Sequence, residues 1–164
     1  MTTRTPVGPC NNLALRKAAR YLGATYDRAL APIGLRSTQF SILQLLSVQG
    51  ELTISGLAEL IAMDRTTMAT NLKPLAREGL VTIEPSATDR RARLVALTPA
   101  GLAKVKAGLP LWQQAQERFE AKFGAAEAAE LRASLDAVLD TGLQPWAEQP
   151  WTASLHEPSE AVQA

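Results

Sequence analysis

The sequence predicts a mostly α fold carrying one small β-hairpin, and three observations lead there. Apolar residues make up 46% of the 164 but aromatics only 5%, so the core must be built from Leu and Ala, which favour helix over an all-β fold. Apolar positions recur at three- and four-residue steps along most of the chain, and Gly or Pro punctuates the segments that carry them. Strand patterning is confined to the stretch from Leu80 to Leu97.

Each element has a local reason. Residues 1–11 read as a tail. Leu15, Ala19, Leu22, Tyr26 and Ala29/Leu30 give a first helix, stopped by Pro32 and Gly34. Ser37 is placed to cap a second helix, with Phe40, Leu43 and Leu46/Leu45 inward and Gly50 at its end. Thr53 starts a short helix with Ile54, Leu57, Ala58 and Ile61 on one face. Asp64 caps the next, Arg65 to about Glu78, which Gly79 closes. Leu80, Val81 and Ile83 form one strand, 85–91 a polar turn, and 93–97 a second strand. Thr98-Pro99 is a strong helix start. The helix after it carries Leu102, Val105, Leu109, Trp112, Ala115 or Gln116, and Phe119, with a kink or break expected at Pro110. Gly124 separates it from a last helix, Ala125 to about Leu143, with Leu131, Leu135, Val138 and Leu139 inward. Residues 144–164, with Trp146 and Trp151, read as an irregular tail.

Composition narrows the function. The apolar content excludes disorder for the bulk of the chain. A single Cys (Cys10) and a single His (His156) exclude an internal disulfide and a Cys/His zinc site. No metal and no cofactor is expected. There is no Gly-rich phosphate loop and no Ser-His-Asp set, so no catalytic residues are assigned and the chain is not expected to be an enzyme. No apolar run approaches a membrane span, and residues 1–9 lack a signal-peptide core, so a cytoplasmic protein without membrane association is expected. The 17 basic residues nearly balance 16 acidic ones, but unevenly. Residues 12–36 hold five basic side chains against one acid and 62–93 six against four, whereas 94–164 hold five against nine. Such asymmetry suits a polyanion partner or, equally, solvated helix faces that differ in sign.

The middle of the chain focuses the question. A short helix, a tight turn and a second helix make a helix-turn-helix, and the hairpin after it is a wing. With Met68 inward at 100° per residue, Leu72 and Leu75 fall on the same side, while Thr66, Thr70, Lys73 and Arg77 face away and Thr67 and Asn71 flank them. That outward face has no carboxylate. Its groups are those that bind phosphates and read base edges, although an ordinary solvated face would look similar. The wing tip adds Arg90, Arg91 and Arg93, a thin basic finger suited to a minor groove. Asp89 among them is expected to hold one arginine fork in place.

The run Leu57-Ala-Glu-Leu-Ile-Ala-Met-Asp-Arg-Thr-Thr-Met-Ala-Thr-Asn-Leu-Lys-Pro-Leu-Ala-Arg-Glu-Gly-Leu-Val81 resembles the core of the MarR family of bacterial regulators. The run Asp89-Arg-Arg-Ala-Arg-Leu-Val-Ala-Leu-Thr-Pro-Ala-Gly101 resembles that family's wing and following helix start. The resemblance implies a winged helix-turn-helix domain (37–98) between helices (12–36 and 99–145) that form a dimerisation domain, with tails at 1–11 and 146–164. It implies a homodimer, usually a repressor, on a pseudo-palindromic operator in double-stranded DNA. DNA-binding residues would be Arg65, Thr66, Thr67, Thr70, Asn71, Lys73, Arg77, Arg90, Arg91 and Arg93, with Asp89 orienting the wing. Two departures stand out. Many members carry a hydroxyl residue and an Arg at Ala69 and Thr70, and Pro74 sits inside the recognition helix, where a tolerated kink is expected.

The resemblance also implies a small effector, often phenolic or carboxylate, that releases the DNA. Arg16, Arg20 and Tyr21 lie on the first helix, and Arg16 and Arg20 share a face able to clamp an anion or to stand as surface charges. Alternatively Cys10 acts as an oxidant sensor. The family's hydroperoxide sensors keep a Cys at the start of this helix, but it aligns with Asn12. A third reading is an interaction module of the same fold that does not bind DNA.

Overall fold

The computed structural model describes residues 10–89 and 91–143. In chain order they form α1 (Asn11–Leu30), a 3-10 turn (Ala31–Ile33), α2 (Ser37–Gln49), β1 (Leu52–Thr53), α3 (Ile54–Leu60), α4 (Arg65–Arg77), β2 (Val81–Pro85), β3 (Arg93–Leu97), α5 (Pro99–Phe123) and α6 (Ala125–Leu139). The three strands make one antiparallel sheet in the order β1-β3-β2. This is the mostly helical, winged helix-turn-helix architecture the sequence predicts. The tail readings over 1–9 and 144–164, including Trp146, Trp151 and His156, lie outside the described residues, as does the role given to Arg90.

The chain divides into two compact units at Gly124. The first has one continuous core. Leu30, Ile42, Leu43, Leu57, Met68, Leu72, Leu75 and Val95 are fully buried in it, and Phe40 nearly so. α2, α3, α4 and all three strands contribute, so the helix-turn-helix and the wing share one hydrophobic centre. The second unit begins with α6. That helix ends at Leu139 rather than near Leu143, and Val138 and Leu139, expected inward, are exposed in the single chain.

Local chemistry explains most boundaries. The hydroxyl of Thr53 accepts the N–H of Gly56 at 2.9 Å and starts α3. Between α3 and α4 the chain passes through Ala62 at φ 51°, the one non-glycine with positive φ among the described residues. Ser37 does not cap α2. Arg36 is the N-cap residue, and its N–H is taken by the side chain of Gln39 at 2.8 Å. Ser37 stands one place further in because Asp27, on α1, reaches across to it. The Asp27 carboxylate accepts from the Ser37 N–H and hydroxyl, both at 2.7 Å, and pairs with the Arg36 guanidinium at 3.1 Å. Partial burial pushes this carboxyl up, but the bonds from Ser37 and Arg36 outweigh it, and its pKa lies below the usual value.

β1 is not predicted by the sequence. Two residues are too few to show alternation, and they become a strand only because β3 offers Leu94 and Val95 as partners. α5 runs unbroken through Pro110. The missing N–H orphans one carbonyl, that of Lys106, at an exposed position where water can bond it. Its inward face also differs from the expected stripe. Leu102 and Leu109 are exposed at 40% and 36%, and the buried positions are Gly101, Val105, Gly108 and Ala115. Glycines lead because the contacts are close. A Cβ on Gly101 would collide with the Leu80 carbonyl oxygen, and one on Gly108 would collide with the Phe40 ring. Thr98 completes the junction. Its hydroxyl caps α5 by accepting the Gly101 N–H at 3.0 Å and donates to the Gly79 carbonyl at 2.7 Å, tying the end of β3 to the end of α4.

Candidate nucleic-acid interface

α4 is set by a cap at its start and by three side chains beneath it. Asp64 accepts the N–H of Thr67 at 2.8 Å and its hydroxyl at 2.5 Å, and these bonds lower the Asp64 pKa. Met68, Leu72 and Leu75 are fully buried and fix the roll of the helix. That roll leaves Arg65, Thr66, Thr67, Thr70, Lys73 and Arg77 exposed and Asn71 half-buried. The helix passes Pro74 without interruption.

The polar groups on this face are not equivalent. Thr67 is engaged by the cap. The Thr70 hydroxyl donates to the Thr66 carbonyl at 3.0 Å, and the Asn71 amide donates to the Thr67 carbonyl at 2.9 Å, leaning on the Met63 sulfur at 3.7 Å. Their donors turn back into the helix, so Thr70 and Asn71 present acceptor oxygens outward. Arg65, Lys73 and Arg77 supply the outward donors. Among the described residues no carboxylate lies within bridging distance of the cations of Arg65, Lys73, Arg77, Arg91 and Arg93.

The wing is ordered by its own backbone. β2 and β3 pair from Val81↔Leu97 to Pro85↔Arg93. Beyond them the Ser86 N–H reaches the Ala92 carbonyl at 3.0 Å, and the Ala92 N–H reaches the Asp89 carbonyl at 2.9 Å. The Asp89 carboxylate accepts the backbone N–H of Arg91 at 2.9 Å. The expected bond from Asp89 to an arginine fork is not found among the described residues; a short acid two places before a turn N–H closes that turn more readily than it reaches a side chain. Ser86 accepts from the N–H groups of Thr88 and Asp89, both at 3.3 Å.

Helix and wing meet in a cleft of about 320 Å³ lined by Thr53, Ile54, Ser55, Arg65, Asp89, Arg91, Ala92 and Arg93. The three arginines come from the start of α4, the wing turn and the start of β3, and the pairing of β1 with β3 brings Thr53 and Ser55 alongside them. Sequence reasoning named the arginines but missed their convergence with the two hydroxyl residues, because β1 is too short to read.

The residues singled out on α1 stand apart from this cleft. Arg16, Arg20 and Tyr21 are exposed, Tyr21 at 76%. Cys10 is exposed and is the N-cap residue of α1. Unpredicted polar contacts hold the other end of α1. The Tyr26 hydroxyl bonds the Gln116 side chain, the Tyr26 and Trp112 rings lie 6.5 Å apart, and the Lys104 ammonium donates to the Ile33 carbonyl at 2.6 Å. Among the described residues no cluster of His, Cys, Asp and Glu could hold a metal, and no helix is long and apolar enough to cross a membrane.

Known proteins share this arrangement. The MarR family model matches residues 35–92, from the turn before α2 to the wing turn that precedes β3. The transcriptional regulator MosR of M. tuberculosis, solved in complex with DNA, is 38% identical, with a TM-score of 0.67 over 79% of this chain and 98% of MosR. The transcriptional activatory protein BadR of Rhodopseudomonas palustris is 30% identical over 114 residues; the match takes in 67% of this chain and spans 61% of BadR. A mutant MarR of E. coli complexed with operator DNA is 23% identical, with a TM-score of 0.70 over 78% of this chain and 92% of that one, a likeness of fold. With the helix-turn-helix, the wing and the Thr98–Gly101 junction all in place, the chain belongs to the MarR family of transcriptional regulators.

Proposed function

We propose that this chain binds a pseudo-palindromic site in double-stranded DNA as a homodimer, with α4 in the major groove and the wing at the minor groove. The observation that carries this reading is the charge of one surface. Arg65, Lys73 and Arg77 on α4 and Arg91 and Arg93 at the wing are exposed, and no acid among the described residues pairs with them. Phosphate contacts from such cations give affinity and register, while Thr66, Thr70 and Asn71 supply the groups that read base edges. Residues 37–98 form the DNA-binding part in this reading. The helices over 12–36 and 99–145 form the dimerisation part, where Leu15 and Tyr21 of α1 and Leu102, Leu109 and Phe123 of α5 leave apolar surface for a second copy to cover.

Repression relieved by a small ligand is the regulatory part of the proposal. The exposed pair Arg16 and Arg20, one turn apart on α1, is the clamp assigned to a carboxylate or phenolate effector. An oxidant input through Cys10 is the second reading, favoured by its exposure at the N-terminus of α1.

A mobility shift with the intergenic DNA upstream of the gene, at two salt concentrations and with unlabelled competitor, tests the reading. Binding that survives competitor and weakens with salt supports it, and that complex then serves to screen aromatic acids and peroxides for release. Absence of binding at every salt concentration, to this DNA and to a pool of random duplexes, overturns it.

A further inference from the structure

We propose that the cleft between the wing base and the start of α4 is a preformed seat for a phosphate group, open to free di- and triphosphate solutes as well as to the DNA backbone. The inference deepens the DNA reading and rests on it for one consequence, that such solutes compete with DNA.

The lining decides the ligand chemistry. Three arginines, Arg65, Arg91 and Arg93, line a cleft of about 320 Å³. Guanidinium forks match the oxygens of phosphate in pairs. The one acid in the lining, Asp89, already accepts the Arg91 N–H at one carboxylate oxygen, so the lining carries three positive charges against one negative. Thr53 accepts a backbone N–H at its hydroxyl oxygen and keeps its own proton to donate, and Ser55 adds a second hydroxyl. Apolar side chains in the lining are limited to Ile54 and Ala92, and Ile54 is buried. An aromatic acid would find no flat wall to stack on, whereas a compact polyanion would find donors on several sides. The volume lies at the small end of the range for small-molecule sites, about 300–1,000 Å³.

The seat is also held in shape before any ligand arrives. β1 pairs Thr53 with Leu94, one residue from Arg93. The Asp89 turn fixes the backbone of Arg91, and the Asp64 cap fixes the first turn of α4, where Arg65 stands. A cation cluster whose backbone is ordered in advance binds an anion at lower entropic cost than a mobile tail of the same charge.

Calorimetric titration of the DNA-free protein with inorganic pyrophosphate, at an ionic strength fixed with NaCl, tests the seat. The expected result is saturable binding that Arg65→Gln and Arg93→Gln each weaken about tenfold. Lys122→Gln, which removes the same charge from the end of α5, leaves it unchanged. Pyrophosphate is also expected to displace bound DNA from the wild type at concentrations where NaCl of equal ionic strength does not. No saturable binding, or an equal loss in Lys122→Gln, overturns the seat, and failure to displace DNA overturns the sharing. The two readings separate cleanly. A protein that binds pyrophosphate through Arg65 and Arg93 but never binds DNA keeps the seat and loses the DNA reading; one that binds DNA but not pyrophosphate does the reverse.

Discussion

α4 and α1 are both amphipathic helices, yet they are stabilised differently. α4 has 13 residues, and three of them, Met68, Leu72 and Leu75, are fully buried. α1 has 20 residues, and only Leu30 is buried. The stretch from Leu15, at 43% exposure, to Tyr21, at 76%, meets solvent in the single chain. The recognition helix therefore takes its place from contacts within its own unit. α1 is anchored at its far end by Tyr26, Asp27 and Leu30 and leaves apolar surface along the rest. A helix within a protein gains most of its stability from packing rather than propensity, so a second copy along α1 would complete what the single chain leaves open.

The largest effect expected on this contrast comes from Leu72→Ala, which should destabilise the protein by about 2–5 kcal/mol in chemical unfolding. Leu15→Ala should cost far less at low protein concentration. If its cost instead rises with protein concentration toward that of Leu72→Ala, α1 is buried between copies, and sedimentation would show the dimer weakened. Gly101→Ala should follow at about 1–3 kcal/mol, since its Cβ has no room against the Leu80 carbonyl; a neutral result would mean that α5 can shift away from the sheet.

Asp27→Asn should cost about 1 kcal/mol at neutral pH, the value of a helix cap. Its carboxyl has a folded-state pKa below the unfolded one, so the stabilisation is present above the unfolded value near 3.8 and is lost as pH falls through the folded value. The gap between wild type and Asp27→Asn should therefore hold from pH 7 to about 5 and close below about 4; a gap that persists in acid would assign the effect to geometry rather than charge. Arg91→Ala should change stability least, by about 0.5 kcal/mol or less, because the side chain is exposed. In DNA binding it should lower affinity across sequences and reduce the salt slope by about one unit. Unchanged affinity at every salt concentration would remove Arg91 from the interface.

Much of this molecule is legible in the sequence. The α4 face is legible because Met68, Leu72 and Leu75 fall at helical spacing. Asp64 and Thr98 are legible as caps because their side chains bond N–H groups three residues on. The hairpin is legible because its two strands bracket a polar turn. These are short-range effects, in which the residues that decide are neighbours in the chain.

The tertiary structure decided what neighbours cannot. Whether a residue of α5 faces inward depends on how closely α2 and the sheet approach, so Gly101 and Gly108 are contacts while Leu102 and Leu109 are surface. Ser37 is no cap because Asp27, ten residues earlier, reaches it across the turn. β1 is a strand only because β3 pairs with it, and that pairing brings Thr53 and Ser55 to the three arginines at the wing base. Periodicity states which residues share a face. Only the packed chain states what that face meets, because long-range approach is set by the summed contacts of many side chains.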